Sequence, residues 1–413
     1  KVRGVKQEVW KKWMNFDRAI GIKYASKYAS SSNYWKNSIG MNKAIADLDV
    51  IGEKQKLEAK VQEWIKQDAE RKARFGRMFG DLKKAYKQRK EAQTALSYLY
   101  ESFLGGVELF RITRTANSLI NTSDSYTRTS LGNSLTKIYK DYDNRVDKEA
   151  LAVLLGNYAQ EMNNKHLPNI YNVIKKQFGG DYKAYAEDVF SRSMLDDGNY
   201  NAGLSLDSAR IANDAATIMV NDVLQLVKSL SKESENADIT IKANEKLLCQ
   251  AILEMEMDEP HYSDANFSMR LSYGFVADYT NGGVHHNYFT TSQSLIDKIE
   301  NGKENPDYMM ETATTELLKK GQWGKYADKE TGDLQLCFLT NNDITGGNSG
   351  SPMFDGEGNV IGLAFDGNWD AMSSDISFTQ NLTRCIGVDI RFVLYLIDCW
   401  GKAPHIIEEL GVK

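Results

Sequence analysis

The spacing of hydrophobic residues changes once along this chain of 413 residues, and that change constrains the fold most. Up to about residue 256, apolar residues recur at the spacing of one face of an amphipathic helix. Lys, Glu, Arg and Gln fill the positions between them, as on the solvated side of a long helix. The stripes are Leu57, Val61, Trp64 and Ile65; Phe75, Met78, Phe79, Leu82 and Tyr86; Leu151, Leu154, Leu155, Tyr158 and Met162; and Ile218, Met219, Leu226, Val227 and Leu230.

After about residue 258 the pattern is typical of strands. In "FSMRLSYGF", residues 267–275, apolar and polar side chains alternate, as in a half-buried strand. "LQLCFLT" and "NVIGLAFD" are short apolar runs bounded by turn formers, and "IRFVLYLIDCW" predicts a closing helix. The sequence therefore predicts an α+β fold with a helical domain over residues 1–257 and a β-rich domain over residues 258–413.

Composition and charge exclude two classes of partner. The formal net charge is -5 and no large basic block is present, so the chain has no general attraction to nucleic acid. No apolar run is long enough to span a bilayer. We therefore expect neither nucleic-acid binding nor a membrane span.

The cysteine pattern gives no indication of a metal site. Cys249, Cys337, Cys385 and Cys399 form no CxxC pair and have no interleaved histidine at ligand spacing. Two interpretations stay open: scattered buried thiols, or one structural disulfide.

The string "TGGNSGSPMFD", residues 345–355, places Ser349 in a glycine-rich turn. A serine nucleophile for acyl transfer must project from a tight turn, with backbone N–H groups converging where the oxyanion forms. Gly346 and Gly347 allow backbone angles that other residues resist, so N–H groups can point toward a substrate. Glycine and serine also cluster in ordinary turns, so this motif alone leaves both interpretations open.

The surrounding sequence is more specific. Gly-Asn-Ser-Gly-Ser-Pro is followed by a predicted hairpin with "DGEGN" at its tip and then by a strand. This layout is similar to the region around the nucleophile of chymotrypsin-like serine proteases. In that layout the later strand runs beside the substrate backbone and forms one wall of the S1 pocket. Here that place is taken by "AFDGNWD".

Several motifs together resemble the bacterial dipeptidyl-peptidase 7 and 11 family, serine exopeptidases that remove dipeptides from peptide N-termini. They are "YASKYASSSNYWKNSIGMNKA", "DANFSMRLSYG", "NDITGGNSGSP", "FDGNWDAMSSDI" and "GVDIRFVLYLID". The resemblance extends from about residue 7 to about residue 400. It implies a chymotrypsin-like double β-barrel with an inserted helical domain. Residues 1–257 would then form the cap over the active site, and residues 258–413 the C-terminal part of the barrel.

The resemblance also implies roles for individual residues. Ser349 corresponds to the nucleophile, and the N–H groups of Gly347 and Ser349 correspond to the oxyanion hole. Ser351 is the competing hydroxyl, at a position where trypsin-like enzymes have a structural glycine. Gly367 corresponds to the position that sets P1 preference. Arginine there accompanies acidic P1 residues, whereas glycine implies an open, uncharged pocket and a hydrophobic P1, as in the dipeptidyl-peptidase 7 branch.

An enzyme that releases dipeptides must also hold the substrate ammonium group, which requires a carboxylate and neutral oxygen acceptors. Asp366 and Asn33 correspond to family residues with that role. In the alternative interpretation, Asp366 binds only local backbone and Asn33 caps a helix.

The chain departs from the family in its histidines. A serine nucleophile needs a histidine base and an orienting aspartate, and the family's Thr-Asn-His-His-Cys-type string is absent here. The histidines are His166, His261, His285, His286 and His405. A triad improvised from His285 or His286 with Asp264 or Asp343 is the alternative. We expect instead that the base and its aspartate lie on an N-terminal segment absent from this sequence, and that these residues alone are inactive.

The remaining expectations also follow from the resemblance. The partners are oligopeptide substrates with a free N-terminus, the N-terminal barrel segment of the same protein, and a second copy in a homodimer. The location is periplasmic or at the cell surface, although no signal segment is present, and no metal or organic cofactor is implied. Made alone, the chain should be poorly soluble, because a partial barrel exposes sheet edges. The competing functions are a non-catalytic peptide-binding protein and a structural helical protein with an incidental Gly-Ser loop.

Overall fold

The computed structural model describes residues 1–196, 208–263, 266, 268–302 and 308–412. Two compact units divide the chain: Lys1–Lys36 with Glu58–Pro260, and Asn37–Leu57 with His261–Lys413. The chain passes from the first unit to the second between Pro260 and His261, whereas the predicted boundary lay between residues 257 and 258. Asn37–Leu57 is grouped with the second unit, although the sequence assigned it to the helical domain.

Helices make up the part of the chain up to Met255 that is described. They are α1 Val2–Phe16, α2 Arg18–Asp47, α3 Val50–Lys66, α4 Ala69–Phe75, α5 Met78–Leu99, α6 Glu108–Asn121, α7 Ser125–Lys140, α8 Asn144–Glu161, α9 Ile170–Gln177, α10 Tyr182–Arg192, α11 Ser208–Ala212 and α12 Ala215–Met255. The four predicted stripes all lie on helices, and the second stripe is divided between α4 and α5. The helical prediction is therefore confirmed for these segments.

Aspartates begin several helices of the first unit. The side chains of these residues accept hydrogen bonds from N–H groups of the first turn, which otherwise lack a partner. The capping residues are Asp68 for α4, Asp124 for α7, Asp143 for α8, Asp181 for α10 and Asp214 for α12. The core between the helices includes Leu151, Leu154, Leu155 and Tyr158 of α8, all fully buried.

The second unit contains short antiparallel strands. They are β1 Tyr279–Asn281, β2 Val284–His286, β3 Phe289–Thr291, β4 Gln335–Thr340, β5 Pro352–Phe354, β6 Val360–Gly367 and β7 Cys385–Asp389. β1 and β2 form a hairpin, and the other strands form a five-stranded sheet in the order β3-β4-β7-β6-β5. The helices are α13 Ser292–Asn301, α14 Thr312–Lys319, α15 Ile390–Tyr395 and α16 Pro404–Glu409.

Several predictions for this unit are confirmed. "LQLCFLT" contains β4, "NVIGLAFD" contains most of β6, and "DGEGN" is the turn of the β5–β6 hairpin. "IRFVLYLIDCW" forms α15 and a π-helical turn that continues it to Trp400.

The strand predicted over residues 267–275 is wrong in its described part, and Phe267 lies outside the described residues. Residues 268–275 form no strand, and only Val276 makes an isolated bridge, to Thr340. The physical reason is that β3 already pairs with β4 from Gln335 to Phe338, which leaves only the end of β4 for this segment.

The chain is thus mostly helical, with small antiparallel sheets in the second unit. All four cysteines are free thiols, so the disulfide alternative is wrong. The buried-thiol interpretation fits Cys385, whereas Cys249 and Cys399 are exposed. Among the described residues, no helix has both the length and the apolarity needed to cross a bilayer.

Candidate active site

Ser349 lies in the loop between β4 and β5, and its side chain is exposed. The backbone on either side turns through left-handed angles, with φ +103° at Gly347 and φ +84° at Gly350. Glycine adopts these angles without the steric cost that a Cβ atom imposes. The two glycines therefore allow the sharp turn that presents Ser349 to solvent.

Hydrogen bonds hold this turn against β6. The Gly350 N–H donates to the Ala364 carbonyl at 2.7 Å, and the Ala364 N–H donates to the Ser351 carbonyl at 2.9 Å. The Ser349 Oγ donates to the Phe365 carbonyl at 3.3 Å. The serine hydroxyl is therefore fixed beside the strand whose last residues are Asp366 and Gly367.

The backbone around Ser349 leaves two donors free. The Asn348 N–H donates to the Thr345 carbonyl at 3.2 Å. In the described part of the chain, neither the Gly347 nor the Ser349 N–H donates a hydrogen bond. Two free donors on alternate residues next to a hydroxyl can stabilise an oxyanion formed by attack of that hydroxyl on a carbonyl. Ser351 differs, because its own N–H and carbonyl are both used within the turn and with β6.

Asp366 is exposed near the end of β6, where the pairing with β7 is irregular between Ala364 and Asp366. Its Oδ1 accepts the N–H of Gly367 at 2.8 Å. The local backbone bond foreseen as the alternative is thus present. It occupies one carboxylate oxygen, and the other has further acceptor capacity.

Gly367 has no left-handed backbone angle, so the backbone conformation does not require glycine there. What requires glycine is the lack of space for a side chain. A Cβ atom added at Gly367 would lie 2.8 Å from the Cβ of Ala371. Ala371 belongs to the 3-10 helix Trp369–Ser373, which directly follows β6. The resemblance implied an open pocket at this glycine, whereas the space on its Cβ side is occupied by Ala371.

Asn33 is exposed and lies inside α2, far from either end of the helix. It therefore does not cap a helix, and that alternative is wrong. Asn33 belongs to the first unit, whereas the other candidate residues belong to the second.

The histidine pair of "GGVHHNYF" lies on the β1–β2 hairpin. The His285 Nε2 is 3.7 Å from the Asp278 Oδ2, and His286 stacks on Tyr279. The Asp343 Oδ2 instead accepts the hydroxyl of Tyr262. Asp264 lies outside the described residues. In the described part of the chain, no histidine is hydrogen-bonded to Ser349, so these residues form no triad.

Sequence reasoning missed Arg384, whose side chain is buried. Its guanidinium donates to backbone carbonyls from two separate segments. The acceptors are the oxygens of Ala277, Asp278, Gln380, Asn381 and Thr383. An arginine before a strand has no distinctive local pattern, and nothing in the sequence indicated this role.

No metal site is formed by the described residues: none of their His, Cys, Asp and Glu side chains make a group of three or more that could hold an ion. At Ser349 the described residues place a hydroxyl beside two N–H groups that donate to no described acceptor, next to the strand that carries the Asp366 carboxylate.

The family comparison identifies the class of protein as a peptidase. The Peptidase S46 family model matches residues 1–412, and the chain belongs to that family.

Similar proteins include two called dipeptidyl-peptidase 7. One, from Porphyromonas gingivalis, is 40% identical over 99% of this chain and 58% of its own length. The other, from Porphyromonas endodontalis, is 39% identical over 100% of this chain and 50% of its own length. A crystal structure of Porphyromonas endodontalis DPP11 in complex with the dipeptide Arg-Glu has a TM-score of 0.85 and 28% identity. That match covers 99% of this chain and 59% of the other. The chain thus spans between 50% and 59% of the length of these relatives.

Proposed function

We propose that this chain carries the nucleophile of a serine-type dipeptidyl peptidase, an aminopeptidase that releases dipeptides from peptide N-termini through an acyl-enzyme at Ser349. The observation that carries the proposal is the exposed Ser349 hydroxyl beside the free N–H groups of Gly347 and Ser349. The names of the relatives support the exopeptidase class.

In this proposal, the Ser349 Oγ attacks the carbonyl carbon of the second peptide bond of the substrate. The carbonyl oxygen becomes an oxyanion, which the two N–H groups stabilise. The general base takes the proton of the Ser349 hydroxyl and gives it to the C-terminal part of the substrate, which leaves as an amine. Water then hydrolyses the ester, which releases the dipeptide and restores the serine hydroxyl.

Substrate length is set by the groups that hold the terminal ammonium. We assign this role to Asp366 and Asn33, on the resemblance of both positions to family residues with that function. The free carboxylate oxygen of Asp366, on the strand beside Ser349, supports this assignment. At Gly367 a side chain is absent, which supports an uncharged pocket and a hydrophobic P1 residue.

The general base is proposed to lie outside these 413 residues. In the described part of the chain the Ser349 Oγ bonds only the Phe365 carbonyl, which cannot accept a proton at neutral pH. Without a base, a serine hydroxyl is a weak nucleophile. The 413 residues alone should therefore bind peptides without cleaving them, which is also the behaviour of the competing non-catalytic peptide-binding protein.

The proposal also covers the domain architecture, the oligomeric state and the location. We assign the antiparallel sheet β3-β4-β7-β6-β5 to the C-terminal part of a chymotrypsin-like double β-barrel, and the helical unit to a cap over its active site. A homodimer in the periplasm or at the cell surface is proposed on the family resemblance.

Fluorophosphonate labelling of the protein purified from its source tests the nucleophile, since these reagents react only with an activated serine. We expect labelling at Ser349, its loss in Ser349→Ala and its retention in Ser351→Ala. A chromogenic dipeptidyl substrate with a hydrophobic P1 residue should be hydrolysed only when its N-terminus is free. Intact mass and N-terminal sequencing of the same sample identify the polypeptide that carries the activity.

Two results would contradict parts of this proposal. Labelling at Ser351 would exclude Ser349 as the nucleophile. So would the absence of any labelling in a protein that hydrolyses the substrate. Turnover by a single species of these 413 residues would exclude an external base and point to His285 or His286 instead.

A further inference from the structure

The 3-10 helix Trp369–Ser373 follows the strand that carries Asp366 and Gly367. Ala371, at the middle of this helix, is half-buried. A Cβ atom built on Gly367 would lie 2.8 Å from the Cβ of Ala371. Real Cβ atoms do not approach so closely, so position 367 accepts no side chain while Ala371 stays in place. Glycine at 367 and alanine at 371 therefore form one fitted pair.

A buried polar network fixes this helix relative to the sheet. The Asn368 Oδ1 accepts the N–H groups of Ala371 and Arg384, and its Nδ2 donates to the Leu382 carbonyl at 2.8 Å. The Asn368 N–H donates to the Arg384 carbonyl at 3.0 Å. Because these groups are buried and paired, displacement of the helix would break several hydrogen bonds at once.

The guanidinium of Arg384 extends the same network to the segment before β1. It donates to the Ala277 carbonyl at 3.3 Å and to that of Asp278 at 2.6 Å. Five backbone carbonyls from two segments thus converge on one buried side chain. Arg384 therefore binds Asn368 through its backbone and the segment before β1 through its side chain.

Gly40, which is grouped with the second unit, also packs closely against the 3-10 helix, through Trp369 and Met372. A Cβ atom at Gly40 would lie 2.6 Å from the Met372 Cγ and 2.9 Å from the Trp369 ring. Two residues of the helix that contains Ala371 are thus in close contact with Gly40, which limits how far the 3-10 helix can move.

We propose that Ala371 is a specificity-determining residue that closes the space beside Gly367 and so sets the size of the pocket for the P1 side chain. Asn368 and Arg384 act as positioning residues for it. This inference rests on the proposed function, because it assigns the P1 pocket to Gly367. It adds that an arginine at position 367, as in a pocket for acidic P1 residues, requires a smaller residue at position 371.

A stability cycle tests the contact independently of any peptidase function. We expect Gly367→Ala to lower the Tm by about 3 °C or more, as overpacking does in a protein of this size. Adding Ala371→Gly to that variant should restore most of the loss, although Ala371→Gly alone should not raise the Tm. Strictly additive effects would overturn the fitted pair.

Dipeptide binding tests the specificity role. Arg-Phe and Arg-Ala differ only in the residue at P1, and calorimetric titration of the full 413-residue chain gives a ratio of affinities for each variant. We expect Ala371→Val to lower the affinity for Arg-Phe relative to Arg-Ala by about tenfold or more, since two added methyl groups enter an apolar pocket. Ala371→Gly should shift the ratio in the opposite direction. Ala403→Val, a change of the same size outside the sheet, is the control.

Each outcome separates the inference from the proposed function. An unchanged affinity ratio in both Ala371 variants would overturn the specificity role, even if both dipeptides bind. Failure of the parent chain to bind either dipeptide would contradict the proposed function and the specificity role with it. The stability cycle would still decide whether positions 367 and 371 compete for the same space.

Discussion

Leu154 in the helical unit is fully buried, whereas Met269 and Leu271 in the second unit are 101% and 89% exposed. The buried leucine lies in a core that side chains of α5, α6, α8 and α12 share. The exposed residues lie in a segment that makes one bridge with the five-stranded sheet. The first unit therefore buries most residues of its apolar stripes, with Tyr86 and Ile218 as exposed exceptions, whereas the second leaves many apolar side chains in solvent.

Polar networks replace apolar contacts in parts of the second unit. Arg384 binds backbone carbonyls of two segments, as described above. Arg391 pairs with the buried Asp389 through two hydrogen bonds, at 3.0 and 2.8 Å, and with Asp328 at 3.0 Å. The second unit thus combines these arginine networks with an apolar core, around Tyr395, that has fewer buried residues than the core of the first unit.

The largest expected effect is in the helical core. Leu154→Ala removes a fully buried side chain and leaves a cavity, which should lower the free energy of unfolding by about 3 to 4 kcal/mol. Urea unfolding followed by circular dichroism of the helices measures this change. Val153→Ala on the same helix is the control, because Val153 is exposed and its truncation should have little effect. Similar losses in both variants would contradict the packing account of the first unit.

The second prediction concerns the network of the second unit. Arg384→Met keeps an apolar side chain of similar length but leaves several buried carbonyls without a donor, and should cost about 2 kcal/mol. Hydrogen exchange should show lost protection in residues 276–286 and 379–384 and little change in the helical unit.

Lys320→Met provides the matched control, since Lys320 is an exposed cation of the same unit. We expect no change in protection from it. If Arg384→Met also left protection unchanged, the network would not stabilise the sheet and the contrast between the units would fail.

The helices could be predicted because their signal is local. A stripe such as Leu151 to Met162 repeats with the helical period, and any compact chain must bury it. The strand predicted over residues 267–275 failed for a non-local reason. Alternation describes a segment that could pair, but the edge of β4 was already taken by β3.

The candidate site also contains some residues that could be predicted from local sequence and others that could not. The turn of Ser349 was predictable, because the need for glycine at Gly347 is a property of the local backbone. Ala371 and Arg384 were missed, since their roles depend on atoms that only the folded chain brings together. Arg384 binds carbonyls 106 and 107 residues away along the chain, and the contact of Ala371 with Gly367 depends on the 3-10 helix that follows β6, so neither leaves a periodic pattern in the sequence.

The last prediction concerns the pH dependence of the free energy of unfolding. One titrating group changes this free energy by at most about 1.4 kcal/mol per pH unit. Asp147 is buried in the helical unit and accepts the N–H groups of Glu108 and Leu109 at 2.7 and 2.8 Å. Burial raises the pKa of Asp147 from 3.8 to about 7, and the nearby charge of Glu108 adds to the rise. The hydrogen bonds from the N–H groups of Glu108 and Leu109, and then the charge of Lys27, oppose it. A raised carboxyl pKa favours folding while the group is protonated. Stability from this group is therefore present below about pH 4 and is lost as the pH rises toward 7.

Asp328 in the second unit should behave in the opposite sense. Hydrogen bonds from the Thr331 backbone and from Arg391 lower the pKa of Asp328 to about 2, so its contribution is present above about pH 4 and is lost as the pH falls toward 2. Urea unfolding across pH 2 to 8 separates the two groups. Asp147→Asn should flatten the decline between pH 4 and 7 and leave the acid limb unchanged, whereas Asp328→Asn should do the reverse. Asp147 lies in a packed core and Asp328 in an arginine network, so the two variants should change different pH ranges of the stability curve. If both changed the same pH range, this difference in environment would be contradicted.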